Sequence, residues 1–96
     1  MGLDRGGEAI YMSAAGDKTR GAANSHQVLH AVNINTRVAS AVLTCYDGTS
    51  TNGTKIATID CSSTGPAGGL IYDVRCKNGF YAVMTGGNAD VTITLF

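Results

Sequence analysis

Tryptophan is absent from this 96-residue chain, proline occurs once, and only two Phe and four Tyr are present. A core without indole rings has to be assembled from smaller side chains, and Val, Ile, Leu and Ala are expected to build it. Charge of either sign is also missing in excess, since seven basic and seven acidic side chains cancel. A nucleic-acid partner calls for a concentrated basic face, whereas Arg5, Lys18, Arg20, Arg37, Lys55, Arg75 and Lys77 are scattered along the chain. Neutrality also weakens self-repulsion, so packing many copies together carries little electrostatic penalty. No apolar run approaches the ~18 residues of a membrane-spanning helix, and no membrane partner is expected. The opening MGLDRG lacks both the apolar segment of a secretory signal and the Ser or Thr at position six that myristoylation requires.

The three cysteines, Cys45, Cys61 and Cys76, are an odd set with no pairing pattern. They fit a protein made in a reducing compartment, with thiols serving as small buried hydrophobes. A chain of this length forms one domain. Such a domain buries roughly two-thirds of its unfolded surface and gains about 5–10 kcal/mol of stability, so burial against a partner subunit matters.

Two textures divide the sequence. Residues 1–27 are rich in Gly, Ala and small polar side chains, with one apolar burst, AIYMS at 9–13; they read as an irregular N-terminal arm carrying one short strand. Residues 28–96 alternate in the manner of half-buried strands. VLHAVNINT sets Val28, His30, Val32 and Ile34 against Leu29, Ala31, Asn33 and Asn35. VASAVLTCY sets Val38, Val42 and Tyr46 against Ala39, Ala41, Leu43 and Cys45. GLIYDVRC turns Leu70, Tyr72, Val74 and Cys76 inward and Asp73 and Arg75 outward, while VTITLF divides Val91, Ile93 and Leu95 from Thr92, Thr94 and Phe96. TKIATIDC and FYAVMT complete the set, with turn formers DGTSTNG, SSTGPAGG, KNG and GGNAD between the runs. The pattern predicts an all-β fold: a small antiparallel β-sandwich or jelly roll of about seven to eight strands, its last strand tied into a sheet.

Catalytic signatures are scarce. DGTSTNG could cradle a phosphate only if a helix followed, and a strand pattern follows instead. It lacks the GK[ST] ending of a phosphate loop and offers Asp47 as its one carboxylate, too few ligands for calcium. It is expected to be an ordinary hairpin turn. His26 and His30 would share a face of a strand about 13 Å apart, with no cluster of metal ligands beside them. No G-x-S-x-G elbow occurs, and the cysteines sit in apolar runs unsuited to a thiolate. Asp47, Asp60, Asp73 and Asp90 would make a small hydrolase if two of them met in a cleft, but their places beside turns suggest solvated caps. Tyr11, Tyr46, Tyr72 and Tyr81 would make a platform for sugar rings if they gathered, though packing at the sandwich rim is the simpler expectation. No enzyme, cofactor or metal is expected. The burst Ile10, Tyr11 and Met12, apolar within a polar segment, is the candidate partner contact.

The succession VLHAVNINT, YDGTSTNGTKIATID, GLIYDV and NGFYAVMTGG, within residues 28–96, resembles small β-sandwich structural proteins encoded in the virion gene clusters of tailed bacteriophages. That resemblance implies a capsid decoration (cement) protein, made in the host cytoplasm and located in the virion. It further implies a homotrimer bound to the major capsid protein or another virion protein, with the arm reaching to a neighbour. A carbohydrate- or receptor-binding module of a phage tail or head appendage is the alternative.

Overall fold

In the computed structural model of the chain, residues 8–20, 27–62 and 69–96 are described. Eight strands form: β1 (Glu8–Met12), β2 (Gly16–Arg20), β3 (Gln27–Thr36), β4 (Val42–Asp47), β5 (Thr54–Asp60), β6 (Gly69–Cys76), β7 (Phe80–Thr85) and β8 (Asp90–Leu95). No helix occurs among the described residues. The strands make two four-stranded sheets, one ordered β1-β8-β3-β6 and the other β2-β7-β4-β5, and all pairings are antiparallel.

This order has a simple origin. β1 pairs with β8, β2 with β7, β3 with β6 and β4 with β5. The chain is thus one long hairpin folded at its midpoint and rolled up, and the rolling adds the β3·β8 and β4·β7 pairings. That is the jelly-roll connection. Only β4 and β5 are joined within one sheet; every other connection crosses between sheets. Residues 47–53, the DGTSTNG stretch, are therefore the fold point of the whole hairpin.

The buried side chains of both sheets meet in one cluster, with Ile10, Met12, Leu29, Val32, Val91, Ile93 and Leu95 from the first sheet. Leu43, Cys45, Ile59, Phe80, Ala82 and Met84 come from the second. Its composition departs from the expected Val, Ile, Leu and Ala: Phe80, Met12, Met84 and all three cysteines are buried in it. Flexible Met and compact Cys fill the gaps that a core without Trp leaves.

Three local expectations change. The segment expected as an irregular arm with a single strand contains two, and they are edge strands of different sheets: β1 beside β8 and β2 beside β7. The polar composition of GDKTR hid β2, because its residues are all exposed or half-buried. In β3 the simple alternation fails at a bulge between Leu29 and Ala31. The bulge leaves His30 and Ala31 together between two inward residues, so Leu29 and Val32 both reach the core. Finally, VASAV does not begin as a strand. Residues 39 and 40 form a turn, with Ser40 at φ 69°, and β4 starts at Val42.

Candidate functional site

The DGTSTNG loop is closed by its own backbone. The Gly53 amide donates to the Ser50 carbonyl (3.1 Å) and the Asn52 amide to Ser50 Oγ (3.2 Å). Gly48 and Gly53 approach so closely that a Cβ on Gly53 would lie 2.5 Å from the Asp47 carbonyl oxygen. The one carboxylate of the stretch is already engaged: Asp47 Oδ1 accepts the Asn78 amide of the neighbouring β6–β7 turn (2.9 Å). An open depression of about 310 Å³ remains between these two turns. Among the described residues no group of three or more His, Cys, Asp and Glu is placed to hold a metal ion. The stretch is a hairpin tip stitched to its neighbour.

The other carboxylates are dispersed. Asp47 and Asp60 stand at opposite ends of the β4·β5 pair, opposite Thr54 and Val42. Asp60 Oδ1 accepts the Ser62 amide (2.9 Å). Asp90 opens β8 opposite Thr36. Asp73 meets His30 Nδ1 at 2.5 Å.

This His30–Asp73 pair is built by irregular backbone. His30 is the extra residue of β3 against β8, and β6 carries an extra residue where it passes His30. Asp73 there adopts φ 52°, a left-handed conformation that Asp tolerates better than most side chains. The imidazole also stacks on the Phe96 ring, with centroids 4.8 Å apart. The β1-β8-β3-β6 sheet thus presents an outer face with His30 on the inner strand β3, Asp73 and Ile71 on the edge strand β6, Phe96 just past the end of β8 and Tyr11 on the other edge strand β1. Tyr11, Ile71 and Phe96 are the exposed large hydrophobics of the described residues, at 69%, 64% and 52%, and all three lie on this face. Outward positions on a solvated sheet are ordinarily polar.

The expected partner contact at Ile10, Tyr11 and Met12 is divided by strand alternation. Ile10 and Met12 are buried in the core at 2% and 3% exposure. Tyr11 alone of the three is exposed. An apolar burst in a polar segment was a signal of burial as much as of contact, and the polar neighbours concealed the strand that carries it. Phe96, Ile71 and the His30–Asp73 pair were missed. Their signal was present as large apolar side chains at the outward positions of GLIYDVRC and VTITLF.

The four tyrosines do not gather. Tyr46 and Tyr81 adjoin on the outer face of the β2-β7-β4-β5 sheet, 6.0 Å apart, and the Tyr81 hydroxyl donates to Asp17 Oδ2 (2.8 Å). Tyr72 packs against the core from β6, and Tyr11 lies on the opposite sheet. The Tyr81 phenol is raised above its ordinary value because Asp17 accepts a hydrogen bond from its protonated form, and Tyr72 is raised by burial. Two late-ionising phenols are therefore expected in an alkaline absorbance titration. Asp17→Asn should return one of them toward the ordinary range, and an unchanged titration curve would contradict the hydrogen bond.

His26 lies outside the described residues. The three thiols are fully buried. Burial pushes Cys45 up from 9.0 to about 12, with smaller contributions from Cys76 and Cys61; burial also raises Cys61 and Cys76. The folded state holds these protons more tightly than the unfolded chain does. Their contribution to stability is therefore complete below the unfolded value and is lost as pH climbs from 9.0 toward 12. The expected loss is about 1.4 kcal/mol per pH unit for each thiol that ionises only on unfolding. Urea midpoints measured across this range should fall steeply, and less steeply in Cys45→Ala. A flat profile would show that thiolates form without unfolding.

No family matches the chain, and no curated protein matches it.

Proposed function

We propose that this protein is a structural component of a tailed-phage virion, a capsid decoration protein that binds the outer shell as a homotrimer and stabilises it. The observation that carries the reading is the concentration of Tyr11, Ile71 and Phe96 on one outer sheet face, where a sheet meant for water would be polar. The eight-stranded jelly roll and zero net charge support it, since both suit dense packing of identical copies. The partner is the major capsid protein or another virion protein, and the action is mass action. A unit that binds only the assembled shell adds RT ln(1 + [L]/Kd) per occupied site, and many sites together oppose outward pressure. Neither catalysis nor a cofactor enters.

The test is co-sedimentation with empty shells assembled from a tailed-phage major capsid protein, followed by thermal disruption of the shells. Saturable binding and a raised disruption temperature are expected. Absence of binding to mature shells would remove the reading.

One observation favours a second reading, a carbohydrate- or receptor-binding module. Tyr46 and Tyr81, with Asp17 against the Tyr81 hydroxyl, combine aromatic rings and a carboxylate on one surface, as sugar recognition uses them. Glycan binding abolished by Tyr81→Ala would establish it in place of the first.

A further inference from the structure

We infer that copies of this chain meet through the outer face of the β1-β8-β3-β6 sheet, the Tyr11 side of one copy against the Ile71 side of the next. The inference rests on the oligomeric reading above and assigns it a surface. Tyr11 and Ile71 stand on the two edge strands of the sheet, β1 and β6. They are separated laterally by three strand spacings, about 14 Å, and offset by two residues along the strands, since Gly69 stands in the row of Tyr11. They are the two most exposed large hydrophobics of the described residues, at 69% and 64%. Phe96, at 52%, continues the patch from the end of β8.

Area decides the geometry. Four strands at about 4.8 Å and six residues at about 3.3 Å cover roughly 19 by 20 Å in projection. Stacking two such faces would bury about half of the ~800 Å² per partner found in stable interfaces. A closed ring uses the surface differently. Each copy touches one neighbour along β1 and the other along β6, so the edges and the face all contribute. Such contacts are heterologous, which fits an apolar anchor at each lateral edge better than one anchor at the centre. The Asp73 carboxylate beside the Ile71 anchor is engaged by His30 Nδ1 on the adjoining strand, so the face does not present a bare acidic side chain to the neighbour. A second copy is therefore the occupant, and the neutral chain, with seven charges of each sign, does not repel itself.

Light scattering over a concentration series tests this on the full chain. The wild type should hold a mass near three times 9.8 kDa. Tyr11→Glu and Ile71→Lys should each lower association at least tenfold and return the mass toward 9.8 kDa. Thr58→Lys, exposed on the edge strand of the other sheet, should change nothing. The chain carrying both Tyr11→Glu and Ile71→Lys should reassociate, because the ring places the two positions against each other with opposite charge. Circular dichroism checks that each variant keeps its strands. Tyr11→Ser and Ile71→Ser replace the charged pair if folding is disturbed, and each must then still lower the mass.

A monomeric wild type, single variants that keep the full mass, or a double variant that stays dissociated overturns the inference. A monomer that co-sediments with shells sinks this assignment and leaves the decoration reading standing. An oligomer broken as described that ignores shells does the reverse.

Discussion

Phe80→Ala is expected to remove about a third or more of the stability of the fold. Phe80 is the largest fully buried side chain of the described residues. It opens β7, an inner strand of its sheet, opposite Arg20 of β2 and Asp47 of β4. Its ring reaches the cluster that joins the two sheets. Removing a buried Phe ring forfeits both transfer energy and the contacts around the resulting cavity, about 3–5 kcal/mol. Against a total of about 5–10 kcal/mol for a domain of this size, that is from about a third to all of the stability.

The composition sharpens the effect. With no Trp and only two Phe in the chain, no second aromatic ring is fully buried in the cluster, and Tyr72 only packs against it from β6, so little is at hand to close over the void. Ile59→Val, which removes one methylene from the same cluster, should cost only about 0.5–1.5 kcal/mol. Urea unfolding at one fixed protein concentration measures both, since dissociation makes the midpoint concentration-dependent. A loss below about 1 kcal/mol for Phe80→Ala would mean that the two sheets collapse freely onto the gap, contrary to close packing.

The strands were legible wherever a strict period of two ran along a half-buried segment. GLIYDVRC and VTITLF gave the inward sets Leu70, Tyr72, Val74, Cys76 and Val91, Ile93, Leu95; Val74 is half-buried, and the others are buried or pack against the core. The period fails where backbone geometry, not side-chain chemistry, sets the phase. Nothing in VLHAVNINT marks the bulge at His30, because a bulge is a relation between strands and His30 finds its partner, Asp73, 43 positions away. β2 was invisible for a related reason. GDKTR has no buried face to announce it, and its strand form comes from pairing with β7. The apolar outer face was written in plain view, yet a Tyr, an Ile and a Phe at outward positions gain meaning only when the strand order β1-β8-β3-β6 places them on one sheet. Strand order follows from pairings such as Glu8 with Leu95, the most distant among the described residues, and no local pattern encodes those.

Gly86→Ala is expected to destabilise the fold by about 2–5 kcal/mol, although residue 86 is an exposed turn position. Two effects combine. Gly86 adopts φ 83°, a left-handed conformation that costs an L side chain about 1–2 kcal/mol. A Cβ added there would also lie 2.0 Å from the Ser40 carbonyl oxygen. Relief would require the turn at Ser40 to retreat, and that turn is pinned from several directions. The Ala41 amide donates to the Val38 carbonyl (3.2 Å), the Val38 amide to Cys61 (3.1 Å), and the Cys61 amide to Ala41 (2.9 Å). Ser40 is itself already at φ 69°, so further distortion starts from a strained conformation. Overpacking against fixed backbone adds about 1–3 kcal/mol. Thr85→Ala, one position earlier and exposed, should stay within about 0.5 kcal/mol of wild type. The pair separates a steric cause from simple loss of turn polarity. If Gly86→Ala matched Thr85→Ala in urea, the β3–β4 and β7–β8 connections would be free to part, and the apposition that closes this end of the jelly roll would not hold in solution.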